Sequence, residues 1–180
     1  IHAPAEYMAT TGTQVGDRPS LGAWLCYGLG NVSRDLPGFI VFLAGETGRP
    51  AAWSAGFLPS RYQGTVVRKE GIPNLDMPPA VTPRRRQVQL DLIGRLNRHH
   101  LDRHAGNTEL EARLRSYELA FRMQTAAREA FDLARETRET HRLYGLDRKE
   151  TAEVGAYCLL ARRMVERGVR FVQVRVGGWD

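Results

Sequence analysis

Asp180 and His2 are the residues of this chain whose neighbours suggest chemistry. Asp180 follows Gly177-Gly178-Trp179, directly after a valine-rich segment that reads as a strand. A carboxylate at the carboxyl end of a strand, behind glycines that let another group come close, suits a metal ligand or a general base. His2 stands in His2-Ala3-Pro4-Ala5, upstream of Thr11-Gly12, where the spacing predicts a loop turning into a helix. The free N–H groups of such a helix start would favour an anion.

The other reactive side chains read as ordinary. His100 and His104 fall on one helix face with His99 beside them, but Leu101 stands where a hydrolytic zinc motif needs glutamate. They are expected as surface histidines. Cys26 and Cys158 are expected as small buried residues on two different helices, and two cysteines are too few for a disulfide scaffold or a cysteine zinc site. Arg162-Arg163 reads as an exposed pair near a helix C-terminus, where the dipole favours cations. Tyr117, Phe121 and Met123 read as core.

These residues need a scaffold, and the composition allows one. At 180 residues, 42% hydrophobic and 26% charged, the chain has the profile of a globular domain and not of a disordered tail. The longest apolar runs, Phe39 to Ala44 and Ala156 to Ala161, are too short to span a bilayer. No signal peptide is visible at the start. The net charge of +6 invites a nucleic-acid reading, yet no Phe, Trp or Tyr interrupts the basic stretch from Arg84 to Arg103. Without stacking platforms or a recognised module, no nucleic-acid partner is expected.

Along the chain, Arg18-Pro19-Ser20 opens a short helix through Leu21, Trp24, Leu25 and Leu29, closed by Gly28 and Gly30. Phe39-Ile40-Val41-Phe42-Leu43 is a continuous apolar strand, as in a parallel sheet covered on both faces. Residues 44–79 read as one long Gly/Pro-rich loop, and 82–145 as a helical insert. Within the insert, Val88, Leu92 and Leu96 line one face of a helix that starts at Thr82-Pro83. Asn107 or Thr108 caps a second helix carrying Leu110, Leu114, Tyr117 and Phe121, and a shorter one is expected near Arg135 to Tyr144, ended by Gly145. Residues 150–176 form a helix–strand unit: a helix from about Glu150 to Arg167 with Val154, Cys158, Ala161 and Val165 inward, then Gly168 and a strand from Val169 to Val176. Strand, helix and strand in this order predict an α/β fold with a helical insert, whose ligands gather beyond the carboxyl ends of the strands.

Several blocks resemble domain-of-unknown-function family 1501. They are Arg18-Pro19-Ser20-Leu21-Gly22-Ala23-Trp24, Tyr27-Gly28-Leu29-Gly30, Leu36-Pro37-Gly38-Phe39, and Gly56-Phe57-Leu58-Pro59-Ser60 with Tyr62-Gln63-Gly64. Further along come Tyr117-Glu118-Leu119-Ala120-Phe121-Arg122-Met123-Gln124, Leu159-Leu160-Ala161-Arg162-Arg163, Glu166-Arg167-Gly168-Val169-Arg170-Phe171-Val172 and Gly178-Trp179-Asp180. The resemblance implies a part of an alkaline phosphatase/sulfatase-like parallel-sheet sandwich, whose relatives hydrolyse sulfate or phosphate esters with bound metal. It implies a divalent cofactor such as zinc or calcium, a small-molecule or polysaccharide ester as substrate, and a periplasmic or secreted location, often reached through a twin-arginine signal. Members are longer than this chain, which opens on Ile1-His2 without Met, so it is expected to be an internal piece of a longer protein.

The resemblance carries over to few site residues. Sulfatases have Cys-x-Pro-Ser-Arg followed by Thr-Gly, and the same spacing places His2 at the cysteine, Pro4 at the proline, Ala5 at the serine, Glu6 at the arginine, and Thr11-Gly12 at the close. Formylglycine cannot form from histidine, so His2 is expected as a metal ligand or an unusual nucleophile. Gly178-Trp179-Asp180 resembles the start of an Asp/His metal-ligand pair, which makes Asp180 the expected metal residue. The alternative implied by the altered signature is a sulfatase-fold protein that has lost catalysis and serves as a binding or surface component.

Overall fold

A computed structural model of the chain describes residues 2–14, 16–44, 49–67, 83–103, 118–119, 123 and 129–177. Its centre is strand β1 (Phe39–Ala44), in which all six residues are buried. β1 lies between β2 (Thr65–Val67) and β3 (Phe171–Val176), and both pairings are parallel. The register sets Ile40 opposite Thr65 on one side and Phe39 opposite Phe171 on the other.

Side chains of a strand alternate between faces, so the unbroken apolar run of β1 serves two cores at once. Phe39, Val41 and Leu43 pack with Cys26, Ala52 and Trp53. On the opposite face Ile40, Phe42 and Ala44 pack with Val67, Met123, Ala130, Tyr157 and Met164. The sheet is thus covered on both sides, as an α/β fold requires.

Helix α1 (His2–Thr11) comes first, followed by α2 (Leu21–Leu29), which lies over the first core. Ser20 caps α2 with extended backbone and donates its hydroxyl to the Ser54 carbonyl at 3.0 Å, while Gly30 ends the helix at φ 68°. Gly22 lets α2 sit close to the sheet: a Cβ there would lie 2.6 Å from the Phe39 ring and 2.7 Å from that of Phe171. The segment expected as one long loop over 44–79 instead contains β2 and two 3-10 turns, Pro50–Trp53 and Ser60–Tyr62. Its parts 45–48 and 68–79 lie outside the described residues.

Helix α3 (Pro83–Arg103) starts as its Thr-Pro signal predicts, and the face that carries Val88, Leu92 and Leu96 is exposed. The cap at Asn107 or Thr108, and Tyr117 and Phe121, lie outside the described residues; Met123 is core. The short helix expected near Arg135 to Tyr144 is α4 (Arg138–Leu143), preceded by a 3-10 turn at Leu133–Arg135. Thr137 caps it by accepting the Thr140 N–H at 3.1 Å.

Helix α5 (Ala152–Glu166) and β3 complete the strand–helix–strand unit, with Gly168 at φ 86° between them. Its inward face differs from the expected one. Val154 and Ala161 do pack against the core, but Cys158 and Val165 are exposed, and Tyr157 and Met164 take the buried positions. The other side of α5 is buried as well, through Gly155, Leu159 and Arg163.

Arg163, expected at the surface, is 5% exposed. It donates through Nε to the Ala130 carbonyl at 2.9 Å, through Nη2 to the Glu129 carbonyl at 2.8 Å, and through Nη1 to Glu136. Arg162 donates to the second Glu136 oxygen at 2.7 Å. The Arg162 hydrogen bond, seconded by that of Arg163 and opposed by desolvation, holds the Glu136 carboxyl below its ordinary value of 4.5. A depressed native pKa gives stability that is fully present above the unfolded value and is lost as pH falls through the native one. The stability gap between the wild type and Glu136→Gln should therefore be widest at neutral pH and narrow below about 4.5. Urea unfolding of both proteins across pH 7 to 3 checks this; a gap that stays constant with pH contradicts it.

Candidate functional site

The carboxyl edge of the sheet is where an α/β fold collects its ligands. β1 ends at Ala44 and β3 at Val176, and the Gly177 N–H donates to the Ala44 carbonyl at 3.1 Å as the final rung. Helix α1 packs on the Pro50–Trp53 turn. From α1 the Glu6 carboxylate meets two guanidinium groups, with Arg175 Nη2 at 2.5 Å and Arg49 Nε at 3.9 Å. The Glu6 and Arg175 side chains are 16% and 11% exposed, against 50% for Arg49. The Arg175 guanidinium also lies 5.8 Å from the centre of the Trp53 ring. Among the described residues, one carboxylate from α1 is thus shared between a guanidinium of β3 and one that precedes the Pro50–Trp53 turn.

The alternation of β3 explains how a charged residue comes to sit there. Val172 and Val174 pack toward the α5 side of the sheet, and Phe171 toward the side of Trp53. Arg175 shares the parity of Phe171, so it emerges on the face that carries Trp53 and α1.

His2 opens α1, one turn before Glu6 and so about 6 Å away along the axis; its side chain lies outside what is described. The expectation of a loop leading into a helix at Thr11-Gly12 is reversed. Thr11 is the last residue of α1, and Gly12, at φ 74° with its N–H donating to the Met8 carbonyl at 3.0 Å, ends the helix. The physical reason is that a glycine in left-handed conformation stops helices far more often than it starts them. Asp180 lies outside the described residues.

The remaining candidates separate cleanly. His99 and His100 are exposed on α3, and His104 lies outside the described residues. Cys26 is buried as expected, and burial pushes its thiol up to about 11 with Arg170 opposing, so it stays protonated at neutral pH. Cys158, expected buried, is exposed. Among the described residues no three His, Cys, Asp or Glu side chains come together as a metal site. Glu6, a described acid at this edge, has its carboxylate already engaged by arginine.

Sequence reasoning treated Glu6 only as a departure from a motif and passed over Arg175, Arg49 and Trp53. A signal for Arg175 was present: it is a lone cation in the otherwise uncharged strand Phe-Val-Gln-Val-Arg-Val, and such a charge needs a partner.

The family comparison covers this whole arrangement. A family model described as a protein of unknown function, DUF1501, matches residues 1–180. The chain belongs to the DUF1501 family. The DUF1501 match takes in α1 as well as β3, and hence both partners of the Glu6–Arg175 pair. Comparison with curated proteins gave no match, and comparison with solved structures gave none either. Among the described residues no helix is long and apolar enough to cross a membrane.

Proposed function

We propose that this chain forms part of an exported, metal-dependent hydrolase of sulfate or phosphate esters, built on an alkaline phosphatase/sulfatase-like sandwich. The observation that supports this most is the carboxyl edge of the parallel sheet, where Glu6 of α1 meets Arg175 of β3 and after which the chain continues to Asp180. In this reading Asp180 is a metal ligand and His2 faces the reacting group. Asp180 is the ligand that this reading assigns, and His2 is a second ligand or an unusual nucleophile. A bound divalent metal such as zinc or calcium would polarise the ester and activate the attacking group. The substrate in this reading is a small-molecule or polysaccharide ester, with no nucleic acid as partner and a periplasmic or secreted location.

The full-length protein, stripped of metal and then resupplied with zinc, calcium, magnesium or manganese, should hydrolyse an aryl sulfate or an aryl phosphate only after metal is restored. Lack of turnover with every ester and metal would sink the hydrolase reading. That result would favour the second reading, a fold that has lost catalysis and binds or lies at a surface. One feature of the site favours this second reading: Glu6, at the place of the sulfatase arginine, is committed to an ion pair.

A further inference from the structure

We infer that the Glu6–Arg175 ion pair docks α1 on the carboxyl edge of the sheet, which makes both residues positioning residues for whatever the start of α1 presents there. The docking stands on geometry; its bearing on catalysis rests on the hydrolase reading above.

Helix α1 lacks the usual means of holding its place. A helix is normally fixed by burying an apolar stripe. From Pro4 to Thr11 no residue of α1 is buried, and Pro4, Ala5, Met8 and Ala9 are exposed. The hydroxyls of Thr10 and Thr11 donate back to the Glu6 and Tyr7 carbonyls at 2.8 and 2.7 Å, which serves the helix itself and not its docking. Ten residues are too few for a helix to be stable alone in water. Among the described residues, what holds it is its packing on the Pro50–Trp53 turn and the charge pair to β3.

That pair has the properties a fastener needs. Its two side chains come from distant parts of the sequence, both are largely desolvated, and Arg175 lies close to the ring of Trp53, the last residue of the turn on which α1 packs. Arg175 is held in direction by β3, whose register pairs it with the buried Leu43. A slip of one residue would carry it to the other face of the sheet. The second cation, Arg49, is half exposed and 3.9 Å away, so it adds little to the fastening. Removing either charge removes the ion pair that links α1 to β3, so each single substitution should release α1 while the sheet stays intact.

Hydrogen exchange on the full-length protein tests this, with Glu6→Gln, Arg175→Met, Arg175→Lys and the charge swap Glu6→Arg/Arg175→Glu. Exchange over residues 2–11 should be at least about tenfold faster in Glu6→Gln and Arg175→Met, with β1 and β3 unchanged. Arg175→Lys and the swap should recover much of the protection. Wild-type exchange in both neutral variants overturns the inference. So does loosening by Arg175→Met but not by Glu6→Gln, because it would assign the docking to the arginine stem. With an ester substrate, kcat should fall about tenfold in the neutral variants with KM little changed. If the wild type turns over no ester, the hydrolase reading fails while the exchange rates still decide the docking.

Discussion

Arg163→Met is expected to destabilise the fold by about 3 kcal/mol or more, the range for removing one partner of a buried ion pair. Arg163 joins α5 to the segment before α4 through three contacts, to the Ala130 and Glu129 carbonyls and to Glu136. Methionine fills much of the space but offers no donor. The buried Ala130 carbonyl and the part-buried Glu129 carbonyl would lose this donor, and of the two arginines Glu136 would keep Arg162 alone. Arg162→Met is the control. Its side chain is 34% exposed and shared between Glu136 and Glu166, so its loss should cost about 1 kcal/mol or less. Urea unfolding midpoints of the two variants separate these values. Equal losses would show that burial of Arg163 does not set its contribution.

The largest effect on activity is expected from Asp180→Asn. Disturbing groups that merely support a metal ligand costs about 10 to 100-fold in affinity or activity, so loss of a ligand should cost more than about 100-fold in metal-dependent kcat/KM. Asparagine keeps the size of the side chain and removes the charge that would hold the cation in the proposed site. The unfolding midpoint measured without metal should stay within about 0.5 kcal/mol of wild type, which separates a lost ligand from a lost fold. Unchanged turnover in Asp180→Asn would remove Asp180 from the site.

How much the sequence disclosed follows from the range over which each feature is determined. β1 was legible because six consecutive apolar residues can only be buried on both faces. α2 was legible from Pro19-Ser20 before it and Gly30 after it, all local signals. β2 was not, since Thr65-Val66-Val67 is too short to show a period and lies among glycines and prolines. α5 was found but its inward face was displaced toward Tyr157 and Met164. A helix buried on two sides has no single apolar stripe to read, and Tyr157 meets Phe42 of the sheet with ring centres 5.5 Å apart. The burial of Arg163 depends on Glu136, which is distant in sequence, and the Glu6–Arg175 pair joins the two ends of the chain. Such partners are chosen by the fold and cannot be read from local spacing. The candidate site was therefore half visible. Its edge followed from the strand pattern, while the charges that hold α1 against it came only from the tertiary structure.

Elemental analysis of the purified full-length protein beside its Asp180→Asn variant is the most direct measurement of the proposed metal-dependent site. The wild type should carry near-stoichiometric divalent metal and turn over an aryl sulfate or phosphate, and the variant should lose both. A folded wild type with no bound metal and no turnover after resupply would contradict it.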